Sequence, residues 1–362
     1  MLMIALLLAA ALLHPPVLGP QILSAPQPPA ASTSQPAVSA APAAGGATIA
    51  WAADDHIYIA LLSLEGRLAP QPTELAASQP TPPSIVPFRG GYLVAWSNLA
   101  LPEQAVLVKL SQDLRPIAET HMTGRSAEVR SDGAFAWMLV DGNAFPVSDD
   151  GAGLAIGRNM FAADDLAVVG SEMPPRVSHE APFCVGHFNF CLPDRYAVTI
   201  AWRNTIQQIP TGTNTFPASL AFDGQTLLSA FYIPDAFGSP SGAVRVFAFG
   251  ATSPIPIGGY IDSQRPPRPS IATDGERFVV VWRSWHPNDY DVSGAVIDPA
   301  TFKVTPLSIA ASSADEREPG VAAIAPGRFL ITYTVSTAGE RRFAARFLDF
   351  GETPLRRHAT FR

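Results

Sequence analysis

From Ala47 onward, the hydrophobic positions of this chain fall in short runs of Val, Ile, Leu and aromatic residues, each cut off by Gly, Pro, Asp or Asn. No stretch keeps the three- and four-residue apolar spacing that an amphipathic helix needs. Short β-branched and aromatic runs bounded by turn residues predict strands. Several runs, such as FVVVW at residues 278–282, do not alternate with polar residues. A strand of that kind has both faces covered.

The runs repeat. PSIATDGERFVVVW at residues 269–282 has one counterpart at 320–333, GVAAIAPGRFLITY, and another at 218–231, ASLAFDGQTLLSAF. Looser copies lead through Gly90-Gly91 to Trp96 and through Asp132-Gly133 to Trp137, and two further runs end on Trp51 and Trp202. Each copy is an apolar strand, a tight turn, and a second apolar strand ending on an aromatic residue. Asp-Gly or Gly-Gly supplies the backbone freedom such a turn requires. Third strands are expected near residues 104–110 and 292–298, and a fourth near 304–309. Four strands per unit with a recurrent aromatic is the pattern of a propeller blade. The aromatic ends are Trp51, Trp96, Trp137, Trp202, Phe231, Trp282 and Tyr333. They predict an all-β protein, a β-propeller of seven four-stranded blades over residues 47–362. Their spacing is uneven between Trp137 and Phe231 and an extra run lies at residues 166–169, so six or eight blades stay open. A β-helix or two stacked sandwiches is the competing architecture. The aromatics themselves are expected to pack between blades rather than to form stacking platforms for a sugar.

Residues 1–14 begin with the apolar run MLMIALLLAAALL. It is too short to span a bilayer and fits the hydrophobic region of an export signal, although no Lys or Arg precedes it. Residues 15–46 carry no charge and are rich in Pro, Ala and Ser. They read as a disordered tether between the export segment and the repeat domain. The first unit already begins on a second strand, so ring closure needs a segment from outside it. Either this linker or residues 353–361 is the candidate.

Charged residues make up only 15% of the chain and the net charge is −7. Sparse charge suits half-buried strands, and mild acidity provides no footprint for nucleic acid. At residues 274–282, DGERFVVVW, and 291–297, DVSGAVI, the sequence resembles a family of bacterial secreted repeat proteins whose units carry D-G-x-x-[FY]-[LV]-V-x-W. The resemblance implies an extracytoplasmic propeller-like array, secreted, periplasmic or at the cell surface. It implies no activity, no cofactor and no membrane span in the mature domain.

Candidate chemistry is thin. The only cysteines are Cys184 and Cys191. In an oxidising compartment their spacing suits a strand-turn-strand disulfide. With His179 and His187 they also form a chemically conceivable zinc set, though in no recognised spacing. Glycosidase chemistry needs two carboxylates across a sugar. Asp54, Asp289 and Glu318 are candidates whose convergence a repeat sequence does not reveal. No nucleotide or nucleophile-elbow motif is present, so no catalytic or metal-binding residue is assigned. The expected ligand-binding segment is the connection at 283–290, where Arg283, Trp285, His286, Asn288, Asp289 and Tyr290 combine aromatic and polar groups. Recognition usually sits on such loops of a rigid scaffold. The expected function is non-catalytic binding or surface scaffolding, of a glycan or an extracellular protein; the alternative is a glycan-active propeller enzyme.

Overall fold

A computed structural model describes residues 16–23, 38–150, 153–179, 184–185, 190–191, 197–211, 216–235, 239, 241–261, 268–286, 289–337 and 340–351. The expected export segment at 1–14 and the candidate closing segment at 353–361 lie outside the described residues.

The chain forms a seven-bladed β-propeller in which every blade is an antiparallel sheet read from the axis outward. Blade 1 runs Val38–Ala43, Gly46–Ala53, His56–Ser63, Thr73–Ala76. Blade 2 follows with Ser84–Phe88, Gly91–Asn98, Gln104–Leu110 and Pro116–Thr123. Blade 3 has Ala127–Ser131, Ala136–Val140, Asn143–Asp149 and Leu154–Ile156. Blade 4 is built from Asp165–Leu166, Arg176–His179, Ala197–Trp202 and Thr205–Pro210. Ser219–Phe222, Leu227–Pro234, Ser241–Ala248 and Ile255–Ile261 make blade 5; Ser270–Thr273, Phe278–His286, Asp289–Ile297 and Val304–Ala310 make blade 6.

Blade 7 takes three strands from the end of the chain, Asp315–Ala325, Arg328–Thr337 and Glu340–Asp349, and its outer edge from the beginning. Val17–Leu18 and Ile22–Leu23 both pair with Glu340–Asp349. The tether expected at 15–46 is therefore corrected where it is described. Its end, Val38–Ala43, is the missing inner strand of blade 1, and its start closes the ring. Low charge and many small residues read as disorder, but backbone pairing needs neither charge nor bulk, and Val38 and Ala41 are buried.

The Asp-Gly turns form as their chemistry dictates. Gly275 sits at φ +90, and Asp274 Oδ1 accepts from the amides of Glu276 and Arg277 at 3.0 and 2.9 Å. The turn at Asp223-Gly224 is the same, with acceptor distances of 2.8 and 2.6 Å.

The core lies between blades. Trp282, 3% exposed, packs with Tyr232 and Val244 of blade 5. Gly258 of blade 5 lies directly beneath its ring, where a Cβ would come within 2.4 Å. Tyr333, Trp96, Phe231 and Trp51 occupy the matching place in their own blades, each turned toward the preceding blade. Trp137 and Trp202 do not. Trp137 stands earlier in its strand and faces blade 4, against Leu166 and Phe161. Trp202 ends a third strand, not a second, and meets Phe222 and Phe249 of blade 5 edge-on. The places matching Trp282 are held by Val140 in blade 3 and Ser178 in blade 4, the residues that follow the partners of Glu128 and Asp165. This explains the uneven spacing of aromatics around these two blades.

Candidate functional site

The expected ligand loop at 283–290 is instead a hairpin. Phe278–His286 and Asp289–Ile297 pair down to His286 opposite Asp289. Asn288 lies outside the described residues. Arg283 and Tyr290 are buried. The Tyr290 ring takes the Arg283 guanidinium at 4.4 Å, the Arg317 guanidinium at 4.3 Å and the half-buried Trp285 edge-on at 4.8 Å. These groups fasten the hairpin to blade 7. Period-two strand residues with long side chains were read as loop because they are polar. Glu318 beside them is buried and ion-paired with Arg341; burial raises its carboxyl despite that guanidinium.

In an antiparallel blade, connections from second to third strands share a face with blade-to-blade connections. The longest connection there is in blade 4, between His179 and Ala197. It carries a two-stranded sheet in which Cys184 stands directly opposite Cys191. His179 donates from Nδ1 to the Asp164 carboxylate at 2.8 Å. His187 lies outside the described residues, and among those described no three His, Cys, Asp or Glu side chains are placed to hold a metal.

The concave feature of the molecule is on the axis. A cavity of about 230 Å³ touches all seven inner strands, through Ala40, Ser84, Glu128, Asp165, Ser219, Ser270 and Val321. A second cavity shares Glu128 and Arg268 with it. Ser126, Gly142, Ala163 and Pro217, which also line it, lie in second-to-third or blade-to-blade connections, so it forms the mouth on that face.

A single backbone logic places these side chains. Ser39, Ser84, Ser219 and Ser270 stand at one inner-strand position, as their registers opposite Ala50, Ala95, Ala230 and Val281 show. Glu128 and Asp165 hold that position in blades 3 and 4. From there a side chain reaches the next blade. Ser39 accepts from the Ile85 amide at 3.1 Å, Ser84 from Val129 at 3.3 Å, Asp165 from Leu220 at 3.0 Å, and Ser270 from Val321 at 3.1 Å. Ser219 breaks the series: its Oγ is buried and has no partner.

Two guanidiniums balance the two carboxylates. Arg130 donates from Nε to Asp165 at 2.7 Å, from Nη2 to Glu128 at 2.6 Å and from Nη1 to the Val129 carbonyl at 3.1 Å. Arg268 donates to the Asp164 carbonyl at 2.6 Å and, in a short contact, to Glu128. Burial alone would raise the Glu128 carboxyl; Arg268 and Arg130 overcome it and hold it down at about 2. Burial would likewise lower the Arg130 pKa, and Asp165 and Glu128 raise it instead. Glu128 is therefore a fixed negative charge at neutral pH, held between two guanidiniums.

Asp54, Asp289 and Glu318 do not line this cavity. Glu128 and Asp165, which do, went unremarked in the sequence. For Glu128 alone a signal was available: it stands four residues before Asp132-Gly133, as Ser219 and Ser270 stand four before their own Asp-Gly turns.

No family model matches the sequence, and no curated protein matches it. In fold the chain is similar to the β-propeller domain of the Trilobed protease from Pyrococcus furiosus, described as having an open velcro topology, at TM-score 0.51 and 12% identity over 92% of this chain and 99% of that one. It is also similar to a chain of the Mitotic Checkpoint Complex, at TM-score 0.51 and 9% identity over 90% and 92% of the two chains. At such identities the likeness is one of fold, and the Pyrococcus furiosus domain is a β-propeller, as is this chain.

Proposed function

We propose that this chain is an extracytoplasmic, non-catalytic binding propeller that takes its ligand at the axial cavity. The observation that carries the reading is the charge state of Glu128, together with the hydrogen bonds that occupy Asp165. Glycoside hydrolysis through two carboxyl groups needs one of them protonated at working pH, with its pKa raised. Here Glu128 is held far below that state by two guanidiniums, and Asp165 accepts from Arg130 and from two backbone amides. A site in which every carboxylate is already neutralised suits recognition better than proton transfer.

Export is supported by the apolar run at 1–13 and by the cysteine pair. Directly opposed residues on antiparallel strands have Cα atoms about 4.5–5.5 Å apart, within disulfide range. The small-residue pairs Ser24-Ala25 and Ser39-Ala40 could admit cleavage by their composition, but processing at either would remove the strands that close blade 7, so this reading has export cleavage before Val17.

The test is a panel of chromogenic glycosides and polysaccharides incubated with purified chain, beside a glycan and peptide array. Binding without turnover is expected. Turnover that Glu128→Gln or Asp165→Asn abolishes would overturn the reading.

A further inference from the structure

The axial cavity has more hydrogen-bond donors than acceptors. A guanidinium carries five N–H groups and no acceptor. Arg268, with a side chain only 10% exposed, uses two of them, toward the Asp164 carbonyl and Glu128. Arg130 uses three. Ser219, 3% exposed, lines the same cavity, and its buried hydroxyl has no partner. Buried polar groups ordinarily find partners, and each of the matching groups described above in blades 1, 2, 4 and 6 does. On the acceptor side, both oxygens of Asp165 and the Oε2 of Glu128 already receive donors from within the protein.

Charge narrows the class of molecule that fits. Arg130 and Arg268 cancel Glu128 and Asp165, so the cavity favours neither an anion nor a cation. Its remaining wall is aliphatic, from Ile85, Leu220, Ile271 and Val321. A ligand suited to both halves is neutral, rich in oxygen acceptors that also donate, and has aliphatic C–H surface. Mostly apolar lining with a few convergent polar groups is the usual composition of a small-molecule site.

We propose that the axial cavity binds a neutral monosaccharide unit, free or at the end of a glycan, with its hydroxyl oxygens on Arg268 and Ser219. This rests on reading the axis as a binding site. Free monosaccharides have no glycosidic bond to cleave, so their binding is measured independently of any turnover.

The experiment is saturation-transfer NMR and calorimetry on the full chain with glucose, galactose and mannose, beside glucuronic acid and glucosamine as charged analogues. At least one neutral sugar should bind with a dissociation constant of about 10 mM or tighter, and its charged analogue about tenfold more weakly. Ser219→Val, which removes the hydroxyl and narrows the cavity, should weaken the neutral sugar about tenfold with thermal stability retained. Arg268→Gln should weaken it likewise, with a lower melting temperature because Glu128 loses one of its two counter-charges. Should Arg268→Gln fail to fold, Ser219→Val alone decides. Absence of binding by all three neutral sugars overturns the proposal, as does equal affinity for the charged analogues or unaltered binding to Ser219→Val. A glycan end bound on an array, with no free sugar competing for it, likewise places recognition outside the cavity and overturns it.

Discussion

Blades 5 and 6 share one plan, and blades 3 and 4 depart from it at two points. In the first pair a serine faces the axis and an aromatic packs toward the preceding blade: Ser219 with Phe231, Ser270 with Trp282. In the second pair the axial residue is Glu128 or Asp165, and the aromatic place is taken by Val140 or Ser178. A serine hydroxyl satisfies one neighbouring amide at little desolvation cost. A buried carboxylate must find a cation, and here it does so in Arg130 and Arg268. Local departures from a consistent repeat are where function is expected to show. The regular blades keep the ring together, and the irregular ones put charge on its axis.

The largest effects should separate these two kinds of region. Trp282→Ala empties the seam between blades 5 and 6, and a large aromatic lost from a core costs about 3–5 kcal/mol. Denaturant unfolding should show that loss with no effect on sugar binding. In the irregular arc, Arg130→Met leaves Asp165 and Glu128 short of a counter-charge, at a cost of roughly 3–5 kcal/mol. Removing all four charges together, with Glu128→Gln, Arg130→Met, Asp165→Asn and Arg268→Met, should recover most of it, because no uncompensated ion then remains. A quadruple variant no more stable than Arg130→Met would mean that the side chain matters for its packing, and the contrast with the regular blades would fail.

The regular blades were the legible ones. Asp274-Gly275 and Trp282 announce a turn and a strand end because both obey local rules, and five of the seven aromatics stand where the repeat puts them. Trp137 and Trp202 misled for the same reason, since a strand ending on Trp looks alike whether it is second or third in its blade. The repeat showed that the first unit lacks its inner strand and made the linker a candidate to close the ring, but the strands at 17–23 and 38–43 were not themselves legible, because edge and axial strands made of Ala, Pro and Leu carry no periodic signal. Most of the axial cluster could not be read at all. Glu128 and Arg268 are 140 residues apart, and only ring closure brings them together.

Acid should strike the irregular arc selectively. Glu128 in the folded chain takes up its proton at about 2, whereas in the unfolded chain it does so near the ordinary glutamate value of about 4.3. Its contribution is complete above that ordinary value and lost as pH falls toward 2, an acid limb of roughly 3 kcal/mol. Glu128→Gln should flatten that limb. Glu316, in blade 7, behaves in the opposite sense. Burial raises its carboxyl and the Ser312 hydroxyl only partly offsets this, with Asp291 and Asp289 adding to the rise. The folded chain thus holds that proton more tightly, and stability declines as pH rises through and above the usual glutamate range. Glu316→Gln should remove this decline and raise the melting temperature at neutral pH. An unchanged pH profile in Glu128→Gln would show that the cluster is not the main acid-sensitive element.

The smallest effect compares two serines at the same position of two consecutive regular blades. Ser270 accepts from the Val321 amide at 3.1 Å. Ser270→Ala leaves that amide without its partner, at a cost of about 1 kcal/mol. Ser219→Ala removes a buried hydroxyl that has no partner, so it relieves a desolvated group rather than stranding one. It should be neutral or slightly stabilising in sugar-free buffer. In a chain of this size the two variants should differ by roughly 1–2 °C in melting temperature. Such a gap requires that the seam between blades 5 and 6 lack the bond its neighbours make. Equal losses from both serines would mean that Ser219 is already bonded within the protein in solution. Blade 5 would then be as regular as blade 6, and the donor surplus on the axis would reduce to the two arginines.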